Sequence, residues 1–288
     1  MSGADFLQAM AQASRERVAA ARAALAEGAL LKRAQDSAPP PPLLRSAAGF
    51  DLIAELKLRS PAVGMLQAAQ DADPAGRAVT YAQAGAAAVS VLTEPSRFDG
   101  SLAHLDAASG ALRALRVPAM RKDFLVDPYQ VLEARAHGAG GVLIILRMLS
   151  RPQLAELCSA ARTCGLFALL EAFDEADIDL AHDILDAQAD REPLPARAPV
   201  QWLVGVNCRD LATLQVVPGR LEELARLLPT QVPRVAESGV ATAVDAGRIA
   251  AAGYDLALVG SALMGAGHPG ALAREMIVAG RRARQQWI

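Results

Sequence analysis

Several residue types and patterns are scarce in this 288-residue sequence, and each shortage excludes a class of protein. The three cysteines have no paired spacing, which is typical of a reducing compartment and not of a secreted disulfide framework. No apolar run reaches the ~18 residues that a transmembrane helix needs, and the N-terminus does not resemble a signal peptide. The net charge of −2 provides no basic field for nucleic acid or for a membrane surface. We therefore expect a cytoplasmic protein with neither as a partner.

Signatures of metal and nucleotide binding are equally scarce. The four histidines do not pair at ligand spacing; they are His104, His137, His182 and His268. The segment 265–270 spells G-x-G-x-x-G, but it follows the last predicted strand and its Pro269 removes an N–H donor. We interpret that segment as a chance match. The sequence thus predicts no metal site and no cofactor.

The first 49 residues are predicted to form a helical extension in front of the main domain at 50–288. Apolar residues recur at three- and four-residue steps over 5–30. This spacing predicts one helix packed on the outside of the domain, and a partner-binding helix is the alternative. Four consecutive prolines, at 39–42, predict a stiff connector over 36–49.

From Asp51 onward, short apolar runs alternate with segments of helical character. Eight runs are predicted strands, at 52–56, 87–92, 117–120, 141–146, 166–170, 202–206, 233–236 and 255–259. Eight segments between and after them are predicted helices, at 74–84, 101–115, 128–137, 151–163, 174–185, 218–228, 241–252 and 269–280. The runs are apolar on both faces, as in parallel strands that helices cover. Eight strand–helix units favour a (β/α)8 barrel, or TIM barrel, over an open doubly wound sheet, which would carry a glycine fingerprint after its first strand.

Charged and amide side chains stand where the predicted strands end. In a (β/α)8 barrel the site lies at the C-terminal ends of the strands. Those ends carry Glu55, Lys57, Lys122, Glu171, Asn207 and Arg209. A lysine enters as the protonated acid and can donate to a carbonyl or a leaving hydroxyl, while a glutamate can accept a proton. Any one pair alone could be a rim salt bridge, but the whole set predicts acid–base chemistry on a doubly anionic substrate.

The ends of the last two strands predict a phosphate site. The seventh strand ends in Glu237, Ser238 and Gly239, and the eighth in Gly260 and Ser261. Small residues there expose backbone N–H groups, and the loops after strands 7 and 8 are the usual phosphate position of this fold. The alternative is that both are merely tight turns.

These residues resemble the indole-3-glycerol phosphate synthase family from about Phe6 to the C-terminus. The matching stretches are IAELK at 53–57, SP at 60–61, VLTE at 91–94, FDGSL at 98–102, RKDF at 121–124, DPYQ at 127–130, GVNCRDL at 205–211, AESGV at 236–240 and VGSALM at 259–264. The resemblance implies a tryptophan-biosynthetic lyase. Its substrate, 1-(2-carboxyphenylamino)-1-deoxyribulose 5-phosphate, would close an indole ring with loss of carbon dioxide and water.

The resemblance also implies roles for individual residues. Lys122 would be a general acid, Lys57 would bind the substrate carboxylate and serve as a second acid, and Glu171 would be the base. Glu55 would position the lysines and the substrate. The implied substrate contacts are Asn207, Arg209, Ser60, Pro61, Phe98 and Phe124, and the implied phosphate contacts are Ser238, Gly239, Gly260 and Ser261. The family uses neither metal nor cofactor, and we expect a monomer or a weak homodimer.

Two segments depart from the family pattern. After Ser60-Pro61 the chain continues with Ala62-Val63, where the family has polar residues, and the proline-containing segment 186–200 is predicted to be a long exposed loop. These departures leave open a paralogue in specialised indole metabolism. A non-catalytic phosphate-binding barrel is a further alternative. Phosphoribosylanthranilate isomerase, which shares the barrel, would instead have a cysteine where this chain has Glu55 and Lys57.

Overall fold

The barrel predicted from the sequence is confirmed. A computed structural model describes residues 3–61, 64–66, 73–189 and 201–285. Eight parallel strands close into a barrel in chain order: β1 (Asp51–Leu56), β2 (Ala88–Leu92), β3 (Ala119–Lys122), β4 (Gly141–Ile145), β5 (Phe167–Ala172), β6 (Trp202–Asn207), β7 (Arg234–Glu237) and β8 (Leu256–Val259). The barrel closes where β1 pairs with β8, with Ile53 opposite Leu258.

The N-terminal extension contains two helices, so the prediction of one continuous helix over 5–30 is wrong near its end. The predicted range is helical except at residues 25–26: α1 (Gly3–Ala24) and α2 (Glu27–Asp36) are separated by a break at which Ala26 adopts an extended conformation. The Tyr129 hydroxyl lies within hydrogen-bonding distance of the carbonyls of Ala21 and Leu25 at the end of α1, and the Ala21 carbonyl also accepts the backbone N–H of Leu25. The break lets α1 cross the C-terminal mouth of the barrel while α2 packs on its side.

Eight further helices cover the barrel: α3 (Pro74–Gln83), α4 (Leu102–Leu112), α5 (Pro128–Ala136), α6 (Arg151–Thr163), α7 (Glu175–Ala189), α8 (Arg220–Ala225), α9 (Ala243–Ala251) and α10 (Pro269–Gln285). The sequence explains several of their starts. Asp73 and Asp127 accept backbone N–H bonds at the starts of α3 and α5, and each precedes a proline, which fits the first helical position. The predicted helix 218–228 is shorter because Gly219 enters it in a left-handed conformation.

Two segments that depart from the family pattern have different outcomes. Residues 186–189 continue α7, so the prediction that the loop begins at 186 is wrong; no helix breaker occurs before Pro193. The rest of that loop, 190–200, and the pair Ala62-Val63 lie outside the described residues. The described residues near that pair form a short hairpin between Arg59–Ser60 and Gly64–Met65.

Strand alternation sorts the buried side chains into two clusters and aims the site residues inward. On β1, Leu52 and Ala54 belong to the cluster between barrel and helices, whereas Ile53 belongs to the cluster inside the barrel. Side chains two residues apart on a strand share a face. Glu55 is therefore the next inward side chain after Ile53, at the C-terminal end of the barrel.

Replacing Asp255 by alanine should destabilise the fold at the end opposite the site. Its carboxylate accepts hydrogen bonds from Arg45 in the connector, Arg284 in α10 and the backbone of Arg234. Without the carboxylate, the partly buried arginines have no counter-charge. We therefore expect a loss of about 3 kcal/mol in the free energy of unfolding, measured by urea titration.

The matched control for that prediction is Arg45→Ala. The Arg45 side chain is 36% exposed, so its loss should cost below about 1 kcal/mol. Equal losses for the two variants would show that Asp255 does not link the connector, β8 and α10.

Candidate active site

A cavity of about 330 Å³ opens at the C-terminal ends of the strands, and every site residue predicted from the sequence lines it. These residues are Glu55, Lys57, Ser60, Pro61, Phe98, Lys122, Phe124, Glu171, Asn207, Arg209, Ser238, Gly239, Gly260 and Ser261. The chain has three lysines, Lys32, Lys57 and Lys122, and two of them lie in this cavity. The tertiary structure therefore gathers one set of acids and bases from residues up to about 200 positions apart in the sequence.

Ion pairs form the floor of the cavity. Lys57 Nζ lies 2.7 Å from Glu55 Oε1. Lys122 Nζ lies 2.8 Å from Glu237 Oε2 and 3.4 Å from Glu171 Oε1, so one ammonium group contacts two carboxylates. Lys122, Glu171 and Glu237 come from three different strands, which is why their contacts cannot be deduced from sequence spacing.

Amide and guanidinium groups on β6 and just after it complete this floor. Asn207 Nδ2 donates to Glu171 Oε1 over 3.0 Å, and Asn207 Oδ1 accepts from the backbone N–H of Arg209 over 3.0 Å. The Arg209 guanidinium donates to the carbonyl of Leu214. Asn207 thus links the Glu171 carboxylate to the loop that carries Arg209.

Glu237 is the site residue to which the sequence analysis assigned no role. It was placed at the end of the seventh strand beside Ser238, but a position at a strand end does not identify a partner. The available indication was the alternation of side chains along β7. Val235, two residues earlier, lies inside the barrel, so Glu237 also points inward. The structure pairs it with Lys122.

Burial and neighbouring charges shift the pKa values of this group in opposite directions. Burial alone would raise the pKa of Glu55, but the charges of Lys57 and Lys122 outweigh it and hold that pKa below its usual value. Burial alone would lower the pKa of Lys122, but the charges of Glu237, Glu171 and Glu55 raise it above its usual value. Lys122 is therefore held in its protonated, proton-donating form.

Small residues form the wall at the ends of β7 and β8. Ser238 and Gly239 both have left-handed backbone conformations, with φ of 66° and 70°. A Cβ added at Gly239 would lie 2.9 Å from Cys208 Sγ, closer than real Cβ atoms come to other atoms. Gly260 precedes the short helix Ser261–Met264. The backbone is thus exposed to the cavity at both strand ends.

Aromatic rings form the apolar side of the cavity, and one of them comes from α1. The rings of Phe98 and Phe124 have centroids 6.3 Å apart, and Phe6 meets Phe124 edge-to-face at 5.9 Å. Phe6 and Leu7 both line the cavity. The prediction that the first helix merely packs on the outside of the domain is therefore wrong, because α1 forms part of the wall of the cavity.

A buried ionic contact fastens α1 to the strand ends. Arg17 donates to Asp123 over 2.6 Å and to Glu94 over 3.3 Å, and both carboxylates are almost fully buried. Ser14 donates to the carbonyl of Phe124. These contacts hold the backbone that follows Lys122 against α1.

The sequence model of indole-3-glycerol phosphate synthase matches residues 7–276. The chain belongs to the indole-3-glycerol phosphate synthase family. The match covers β1 to β8, α1 from Leu7 onward and every residue predicted for the site.

Curated relatives carry the name of the family. The indole-3-glycerol phosphate synthase of Mycolicibacterium smegmatis is 40% identical over 97% of this chain and 96% of its own length. The enzyme of that name from a Parafrankia strain is 46% identical over 80% of this chain and 78% of its own length. These matches support the synthase interpretation over the alternatives of a specialised paralogue and a non-catalytic barrel. The chain is accordingly an enzyme of the synthase family, a decarboxylating lyase of tryptophan biosynthesis.

Solved structures with similar folds show the barrel alone. A 3-hexulose-6-phosphate synthase from Salmonella typhimurium superimposes with a TM-score of 0.57 at 13% identity, over 82% of this chain and 99% of its own. A thiamine phosphate pyrophosphorylase from Pyrococcus furiosus gives 0.55 at 14% identity, over 82% of this chain and 97% of its own. Identities this low show only that the synthase family shares its barrel with other proteins.

Within the part of the chain that the structure describes, the synthase-family chain has neither a metal-binding cluster nor a membrane-spanning helix. No group of three or more His, Cys, Asp and Glu side chains there is arranged to hold a metal ion. None of the described helices is long and apolar enough to cross a membrane.

Proposed function

We propose that this chain converts 1-(2-carboxyphenylamino)-1-deoxyribulose 5-phosphate into indole-3-glycerol phosphate, carbon dioxide and water. The observation that carries the proposal is the contact of the Lys122 ammonium with two carboxylates on the floor of a cavity that has an apolar side and a side of bare backbone. The substrate has a matching ring, carboxylate and phosphate. The proposed active compartment is the cytoplasm, and the proposed assembly is a monomer or a weak homodimer.

The substrate and products set the proton balance. Ring closure forms a carbon–carbon bond and leaves a hydroxyl where the carbonyl was, which takes up one proton. The carbon–carboxylate bond then breaks and its electron pair stays in the ring system. Loss of water removes one proton from the methylene carbon and adds one to the leaving hydroxyl. Each turnover therefore takes one proton from solution, because a carboxylate departs as neutral carbon dioxide.

Lys122 is the proposed acid for these steps. Its pKa is raised by the carboxylates around it, so it stays protonated at neutral pH. In this role it protonates the carbonyl oxygen as the ring closes. Lys57, paired with Glu55, is proposed to bind the substrate carboxylate and to serve as a second acid, with Arg209 beside it as a further cation.

Glu171 is the proposed base that takes the methylene proton. The hydrogen bond from Asn207 Nδ2 fixes one carboxylate oxygen over 3.0 Å and leaves the other free to accept. Glu55 is proposed to hold Lys57 in place and to orient the substrate. Asn207 would keep Glu171 directed towards the substrate.

The two walls of the cavity are proposed to bind the ends of the substrate. Ser238, Gly239, Gly260 and Ser261 would hold the phosphate through backbone N–H groups and hydroxyls. The rings of Phe98 and Phe124 would enclose the aryl group, with Ser60 and Pro61 as further substrate contacts. The reacting carbonyl would then lie between the two ends of the substrate, above Lys122.

The direct test is turnover of the carboxyphenylamino substrate, followed by the absorbance and fluorescence of the indole product. We expect product to form without added metal or cofactor. Substrate recovered unchanged, from protein that is folded by circular dichroism, would contradict the proposed function.

Gly239→Ala should weaken phosphate binding with little effect on the chemical step. The new methyl group would meet Cys208 Sγ in a backbone conformation that L-residues rarely adopt. We expect KM to rise about tenfold, which corresponds to ~1.4 kcal/mol of lost binding. The pair Gly239→Ala/Cys208→Ala should recover part of that loss. An unchanged KM in the single variant would exclude this turn from phosphate binding.

A further inference from the structure

The Glu237 carboxyl group is buried without a full set of hydrogen-bond donors. Its side chain is 1% exposed, and Oε2 contacts Lys122 Nζ at 2.8 Å. Oε1 receives no hydrogen bond from any donor in the described part of the chain. Leaving a buried carboxylate oxygen unpaired is energetically costly, because it has lost its hydrogen bonds to water without replacement. A proton on this carboxyl group would remove the charge and provide a donor.

Gly205 makes room for this carboxyl group. It lies on β6, where it is paired with Glu171 of β5 on one side and with Val235 of β7 on the other. A Cβ added at Gly205 would overlap Glu237 Oε1 and would lie 3.0 Å from Leu169 Cδ1. The missing side chain thus opens an apolar niche into which Glu237 folds, and that niche disfavours the charged form.

The charges that face Glu237 also favour one added proton. Asp123 also lines the cavity, but Arg17 and Arg121 pair with it. The other charged groups of the lining are the cations Lys57, Lys122 and Arg209 and the carboxyl groups Glu55, Glu171 and Glu237. With these six groups ionised, their net charge is zero. Burial, reinforced by the charge of Glu171 and opposed by Lys122, raises the pKa of Glu237 to about 8. A neutral Glu237 leaves a net positive floor for an anionic substrate.

We propose that Glu171 and Glu237 hold one proton between them, that this proton resides on Glu237 in the resting site, and that Gly205 is the positioning residue that keeps the pair together. The role of this proton in catalysis rests on the proposed synthase reaction. The proton itself is a property of the resting protein and can be tested without substrate.

The shared proton reprotonates Lys122 between the two steps in which Lys122 donates a proton. Lys122 protonates the carbonyl oxygen during ring closure and is left neutral. Glu237 then returns a proton to Lys122 over 2.8 Å, a distance suited to direct transfer. Glu171 takes the methylene proton, so the pair again holds one proton. Lys122 gives its second proton to the leaving hydroxyl, and the single proton taken from solution restores it.

Infrared difference spectroscopy of the resting protein tests the shared proton directly. At pH 7 we expect the carbonyl stretch of a buried carboxylic acid, which should disappear as the pH rises past about 8. The band should be lost in Glu237→Gln and kept in Glu55→Gln, which removes the buried carboxyl group that pairs with Lys57. Absence of the band in the unsubstituted protein, or its survival in Glu237→Gln, would overturn the proposal. A protein without synthase activity that still shows this pattern would overturn only the proposed function.

Gly205→Ala tests the positioning role. The added methyl group should push the carboxyl group out of its niche, so the infrared band should titrate at lower pH and kcat should fall ~10–100-fold. The pair Gly205→Ala/Glu237→Asp shortens the acid by one methylene and should restore both the band and part of kcat. Gly110, with open space around it on α4, provides the control Gly110→Ala, which should change neither. A purely structural role would lower the melting temperature and leave the titration of the band unmoved, and that result would contradict the proposal.

Discussion

Lys122→Ala should lower kcat by about 10²–10⁴-fold, the range expected for removing a positioned general acid. The physical reason is that Lys122 is the ammonium group shared by Glu171 and Glu237, held protonated by their charges. Without it, the developing negative charge on the carbonyl oxygen during ring closure meets no donor. A steady-state assay of indole-3-glycerol phosphate formation over a range of substrate concentrations measures the effect, and KM should change much less than kcat.

The matched control is Lys32→Ala. Lys32 is the one lysine of the chain outside the cavity and lies exposed on α2. This control should keep kcat unchanged and the fold intact. If Lys122→Ala retained the activity of the unsubstituted protein, Lys122 would not be the acid.

Glu171→Gln should separate carbon dioxide release from indole formation. Glutamine keeps the shape of the side chain and can still accept the hydrogen bond from Asn207, but it cannot take a proton from carbon. Ring closure and decarboxylation need an acid and no base, whereas loss of water needs the methylene proton removed. We therefore expect kcat for indole formation to fall about 10²–10⁴-fold.

A single-turnover experiment with a labelled carboxylate distinguishes the steps. In Glu171→Gln, labelled carbon dioxide should be released while indole does not accumulate. Glu175→Gln, an exposed site at the start of α7, is the control and should release both together. Equal loss of carbon dioxide and indole in Glu171→Gln would place Glu171 before decarboxylation and contradict its role as the base of the dehydration step.

The order and type of the barrel elements could be predicted from the sequence because local features specify them. Buried parallel strands are apolar on both faces, and proline or aspartate at helix starts marks where each helix begins. The predicted helix 151–163 matches α6 to the residue. Where the prediction failed, at the break before α2, the Leu25 carbonyl lies within hydrogen-bonding distance of the Tyr129 hydroxyl, a contact between residues about 100 positions apart that no local pattern shows.

The sequence by itself determined which residues stand at the strand ends, because the end of each strand can be read from its own apolar run. The barrel fold then places all eight ends on one side of the molecule. Only the tertiary structure decided which of these groups touch. The contact between Lys122 and Glu237, the entry of Phe6 into the cavity and the niche at Gly205 each join residues from separate strands or helices. Such contacts depend on the shear of the barrel and on side-chain packing across it, which no local pattern encodes.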